Sequence, residues 1–106
     1  MAWSGIERRA HQRWQGEDPQ PLPMLIGETR QAGRLRDISA GGIAVEGELN
    51  ASIGAPALVE LNDALRLPGV VVRVKDRKVA IRFDLPGPLA QQIDQAVRLG
   101  LCPAEW

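Results

Sequence analysis

From Leu22 to Asp84 the apolar residues come in short runs separated by clusters of Gly, Pro, Asn and Asp. Runs of that length, closed that often, build strands and leave no room for helices. Strands are expected over 22–29, 32–39, 42–47, 55–62, 69–75 and 78–84. Six strands so closely spaced fit an antiparallel sheet closed into a barrel, which leaves no unpaired edge. Alternation is clearest where Val70, Val72 and Val74 intercalate with Val71, Arg73 and Lys75, and where Val79, Ile81 and Phe83 intercalate with Ala80, Arg82 and Asp84. The first triplet of each pair is expected to face inward. The Asp76-Arg77 step between them is short enough for a tight hairpin, although it lacks the glycine that such turns prefer.

After Pro86, Gly87 and Pro88 the period changes. Leu89, Ile93 and Val97 recur every four residues, with Gln91, Gln92, Asp94 and Gln95 between them. That is one amphipathic helix over 87–100, ending near Gly100, whose apolar stripe closes one side of the barrel. Before the strands, residues 1–20 are polar and Arg-rich, and Pro19 and Pro21 discourage both helix and central strand. They read as an arm and linker that order on binding. The expected architecture is mostly β, a six-stranded antiparallel β-barrel with an N-terminal ligand-binding arm and one C-terminal α-helix. At 106 residues this is a single domain, 1–106, with the barrel over 22–84.

Charge and cysteine usage remove several classes of function. Thirteen cationic and thirteen acidic side chains give zero formal net charge, so no global field recommends a polyanion, and no nucleic-acid partner is expected. Lys75 and Lys78 are the only lysines; the other cations are arginines, whose planar groups suit flat, bidentate acceptors. Cys102 is the only cysteine, so no intrachain disulfide forms. The charged N-terminus resembles no signal peptide, and no apolar run is long enough to span a bilayer. A cytoplasmic location without membrane insertion is expected.

Two constellations carry chemistry. Glu7 to Trp14 packs Arg8, Arg9, Arg13, His11 and an indole into one short segment that can hold a flat anion. Arginine matches the O6 and N7 acceptors of guanine, an arrangement worth about 1–3 kcal/mol of discrimination, and also pairs with phosphate. The plainer reading is a solvated basic arm, or a short helix with Arg9 and Arg13 on one face. The second constellation is Asp37-Ile38-Ser39-Ala40-Gly41-Gly42. On a strand Asp37 and Ser39 project from one face while Ile38 points the other way. The carboxylate can accept from a guanine edge, the hydroxyl can donate to phosphate, and glycine lets a ligand approach the backbone. The plainer reading is a turn whose Asp, Ser and Gly satisfy their own backbone.

In this order the two segments resemble the paired signature of the PilZ domain family, R-x-x-x-R in an N-terminal arm followed by D/N-x-S-x-x-G on the barrel. Arg9 and Arg13 match the first motif; Asp37, Ser39 and Gly42 match the second. The resemblance extends through Ile43-Ala44-Val45 and the strands ending at Val74 and Asp84, over roughly residues 6 to 99. It implies a receptor for the bacterial second messenger cyclic di-GMP, held on the outer face of the barrel under the wrapped arm. By the same resemblance Arg9 and Arg13 hold guanine edges and phosphates, Asp37 and Ser39 meet guanine and phosphate from the barrel, and Gly42 permits close approach. Arg8 is a third cation, and an arginine there leans towards a stacked pair of ligands. The further partner is an unidentified effector protein that senses the ordered arm.

Nothing points to an enzyme. His11, the only histidine, has no evident second catalytic group, and Cys102 lies beside a proline with no activating base. One His and one Cys so far apart give no metal site, and no cofactor is expected. Trp3, Trp14 and Trp106 lie outside the expected strands; Trp14 could cover a purine, and packing on the barrel or on a partner is the plainer reading. The alternative function is a nucleotide-independent PilZ-like adaptor for a motility or envelope machine. Single-strand nucleic-acid binding would want aromatic platforms on the strands, which offer only Phe83.

Overall fold

A computed structural model of the chain describes residues 14–15, 21–62 and 65–101. Its strands are β1 (Trp14–Gln15), β2 (Leu22–Ile26), β3 (Thr29–Ser39), β4 (Gly42–Glu46), β5 (Pro56–Asn62), β6 (Leu65–Lys75) and β7 (Lys78–Phe83), followed by one helix, α1 (Gly87–Arg98). Every pairing is antiparallel. The order β3-β2-β5-β6-β7-β4 returns to β3 and closes a six-stranded barrel, with β1 added beside β3.

Closure depends on the length of β3, which spans 11 residues. Thr29 to Gly33 pair with β2, and Arg34 to Ser39 pair with β4, so one strand joins both ends of the sheet. Between Leu35 and Asp37 the register shifts by one, leaving Arg36 as an extra residue. A bulge of this kind bends a strand and increases its twist, as closure requires.

The interior is apolar throughout. Met24, Leu35, Ile38, Val45, Val59, Leu67, Val71 and Ile81 are almost wholly buried, and Ile93 joins them from α1. Each such burial is worth about 1.5–3 kcal/mol. Helix α1 lies against this core through Ile93 and Val97, with Leu89 and Ala90 partly buried, which is the stripe read from the sequence. It ends in a Schellman motif. The Gly100 N–H donates to Val97 O and the Leu101 N–H to Ala96 O, with Gly100 at φ +72°.

Three expectations need correction. The first hairpin turns at Gly27-Glu28, not after residue 29, because Gly27 accepts the positive φ of +61° that the turn demands. Arg30 and Gln31, which fall between the first two expected strands, are strand residues opposite Leu25 and Met24. Second, β1 was not expected: Trp14 and Gln15 pair with Ile38 and Asp37, so the backbone of Trp14 belongs to the sheet.

The third correction concerns the phase of β6. The strand starts at Leu65 and runs through Pro68, so Leu67, Gly69 and Val71 face inward, while Val72 is 41% and Val74 37% exposed. Three valines in succession, Val70 to Val72, set no phase of their own. The register shift between Val71 and Arg73 then reverses the alternation, and Val74 pairs with the buried Val79 only at the open end of the barrel. The expectation for Val79, Ile81 and Phe83 matches, as all three are buried. Asp76 replaces the missing hairpin glycine with φ 55°, a conformation that aspartate tolerates better than most residues.

Candidate functional site

Cross-strand partners share a face, so the registers generate a grid on the outside of the barrel. One row runs Gln15, Asp37, Ala44, Ala80, Arg73 across β1, β3, β4, β7 and β6. The next runs Ser39, Gly42, Arg82, Val70. Asp37 and Ser39 are therefore neighbours on the outer face, and Ile38 between them is fully buried. The shared face is as expected for the second constellation.

Ser39 differs from a freely exposed hydroxyl. It is 2% exposed and is the buried polar residue of the described chain. Its Oγ accepts a hydrogen bond of 3.2 Å from the Gly41 N–H, closing the turn between β3 and β4. Accepting in this way leaves the O–H proton as a donor. The turn reading of this segment is thus correct for Ser39.

Gly42 has a structural duty as well. A Cβ there would lie 2.5 Å from the Ile81 carbonyl oxygen and 3.4 Å from the Arg82 Cα. The close approach that requires glycine is made by the backbone of β7. Beside it, the Phe83 N–H donates to Gly41 O at 3.0 Å, fastening the turn to the end of β7.

Of the residues singled out in the sequence, the structure brings together Asp37, Ser39 and Gly42. Arg8, Arg9, Arg13 and His11 lie outside the described residues, as do Trp3, Cys102 and Trp106. Arg82 went unnoticed. It is exposed, pairs with Gly42 and so borders Ser39, but the juxtaposition of β4 with β7 links residues 40 apart in the chain, and no local pattern encodes it. Alternation had placed Arg82 outward; only register places it here.

Among the described residues no group of three His, Cys, Asp or Glu could hold a metal ion. No described helix is long and apolar enough to cross a membrane.

Comparison with known proteins bears on the fold and the family. A family model described as PilZ domain matches residues 7–99. Among solved structures, the chain is similar to the Bacillus subtilis inhibitor of motility, MotI/DgrA, with a TM-score of 0.63 and 23% identity over 88% of this chain and 51% of that one. It spans about half the length of that protein. It is also similar to the PilZ domain of CeSA from a cellulose-synthesizing bacterium, with a TM-score of 0.59 and 18% identity over 83% of this chain and 95% of that one. No curated protein matches it.

Proposed function

This chain belongs to the PilZ domain family, and we propose that it is a non-enzymatic receptor that binds cyclic di-GMP on the outer face of the barrel and relays it to a partner protein. The observation that carries this reading is the register of β1, in which Trp14 stands opposite Ile38 and Gln15 opposite Asp37. Arg13 is one peptide unit, ~3.8 Å between Cα atoms, from a residue flanked by Asp37 and Ser39. Arg9 is five residues from the same anchor, a reach of at most ~17 Å. On this reading the chain is long enough for both guanidinium groups to meet a ligand held at the carboxylate and the hydroxyl.

The chemistry is complementary. Arginine donates to guanine O6 and N7 or to phosphate, whereas the Asp37 carboxylate accepts from guanine N1–H and N2–H. Ser39 has a proton left to donate to a phosphate oxygen, and Arg8 adds a third cation towards a second, stacked ligand. Contacts that exist only with ligand bound shift the arm from many conformations to one. That ordered arm is the surface a cytoplasmic effector would read.

Titration calorimetry with cyclic di-GMP tests this. Arg9→Ala and Arg13→Ala should each weaken binding by about 1–3 kcal/mol, roughly five- to over one-hundredfold, with the melting temperature unchanged. Equal affinity in wild type and both variants would refute the assigned roles.

One observation favours the adaptor reading. Ser39 and Gly42 both serve the turn and the β4–β7 contact without any ligand. Capture of the same partners with and without cyclic di-GMP would select it.

A further inference from the structure

Beside the Asp37 site the outer face carries cations that form no ion pair among the described residues. Arg30, Arg36, Arg77 and Arg98 each pair with a carboxylate. Arg73, Lys75 and Lys78 are exposed and have no ion-pair or hydrogen-bond partner among the described residues. Lys75 and Lys78 stand directly opposite one another at the end of the β6–β7 hairpin. Like charges so placed repel. The chain's two lysines thus stand side by side in a protein whose net charge is zero, with Glu46 of β4 opposite Lys78 on its other side.

These cations border a trough of about 400 Å³ that is also lined by Ala44, Ala80 and Asp76. The two alanines are cross-strand partners and keep its floor low.

We propose that this trough docks an acidic, partly apolar segment of a partner protein. Carboxylates of such a segment would pair with Arg73, Lys75 and Lys78, and its apolar side chains would meet the floor formed by Ala44 and Ala80. A nucleic acid would want aromatic faces for its bases. The one aromatic side chain on the described strands β2 to β7, Phe83, is buried. The link to signalling rests on the receptor reading above. The row from Asp37 through Ala44 and Ala80 to Arg73 crosses three strand spacings, ~14 Å, so a docked segment borders whatever occupies the Asp37 site.

The test uses the full chain and a short labelled peptide of alternating glutamate and valine, followed by fluorescence anisotropy and by amide chemical shifts. Shifts should concentrate at residues 73–80 and at Ala44, and a matched glutamine-valine peptide should bind far more weakly. Lys75→Glu with Lys78→Glu should weaken the acidic peptide by about tenfold or more. Lys75→Gln with Lys78→Gln, which adds no new charge, should weaken it less, and both variants should melt cooperatively. Shifts centred elsewhere, or unchanged affinity in the charge-reversed variant, would overturn the proposal. So would inorganic phosphate competing as well as the peptide, or anionic phosphatidylglycerol vesicles binding the chain while the peptide does not. Calorimetry on both variants should return wild-type affinity for cyclic di-GMP. If the wild type ignored that nucleotide but bound the peptide as described, the receptor reading would fail and the docking surface would stand.

Discussion

Gly42 of β4 and Gly69 of β6 press on consecutive peptide units of β7, Ile81–Arg82 and Arg82–Phe83, from its two edges. A Cβ on Gly42 would meet the Ile81 carbonyl oxygen at 2.5 Å, and one on Gly69 would collide with the Arg82 carbonyl and stand 2.8 Å from Ile81 Cγ2. Two of the barrel's joints therefore close only because neither residue has a side chain. The last position of the D/N-x-S-x-x-G pattern is accounted for by packing of the barrel itself.

Gly42→Ala should consequently lower stability by about 1–3 kcal/mol, the usual cost of forcing an extra carbon into a close-packed place. Denaturant unfolding would measure it. Any loss of nucleotide binding in this variant should scale with the loss of folded protein, and a fully stable Gly42→Ala protein would contradict the account.

Asp37 and Ser39 should separate by phenotype. Asp37→Asn keeps shape and removes the charge, so cyclic di-GMP binding should weaken about tenfold or more with little change in melting temperature. Ser39→Ala removes the acceptor of the Gly41 N–H and should cost about 0.5–1.5 kcal/mol of stability in addition to any effect on binding. Calorimetry paired with thermal unfolding reads both.

The phase of β6 can be decided by two truncations. Val71→Ala removes a fully buried side chain and should destabilise by about 1.5–3 kcal/mol. Val72→Ala, at a residue 41% exposed, should fall within about 0.5 kcal/mol of wild type. The reverse order would mean that Val72 faces the core.

Lys75→Glu should raise stability by about 0.2–1 kcal/mol, since it turns a like-charge cross-strand pair with Lys78 into an attractive one. The gain should shrink as salt is added, because these side chains are exposed. Thermal unfolding at low and high ionic strength checks it, and a destabilised variant would show that the lysines do not repel.

Much of the barrel was legible because its cause is local. Val79, Ile81 and Phe83 alternate with polar neighbours and are buried together; Leu89, Ile93 and Val97 repeat at helical spacing and form the stripe of α1. Asp37 and Ser39 share a face because residues two apart on a strand always do. The errors arose where local signals are silent. A run of valines has no phase, so the bulge at Val72 could not be foreseen, and the polarity of Arg30 and Gln31 suits an exposed strand as well as a turn.

Short-range spacing specifies the six barrel strands, the helix, the shared face of Asp37 and Ser39, and the resemblance to the PilZ family. Folding of the whole chain adds that the Ile81 carbonyl leaves no room for a side chain at Gly42, that Arg82 borders Ser39, and that Arg73, Lys75 and Lys78 gather about two alanines. Those relations depend on which strands become neighbours and in which register. Register is settled by closing and packing the whole barrel, a condition that no single stretch of chain contains.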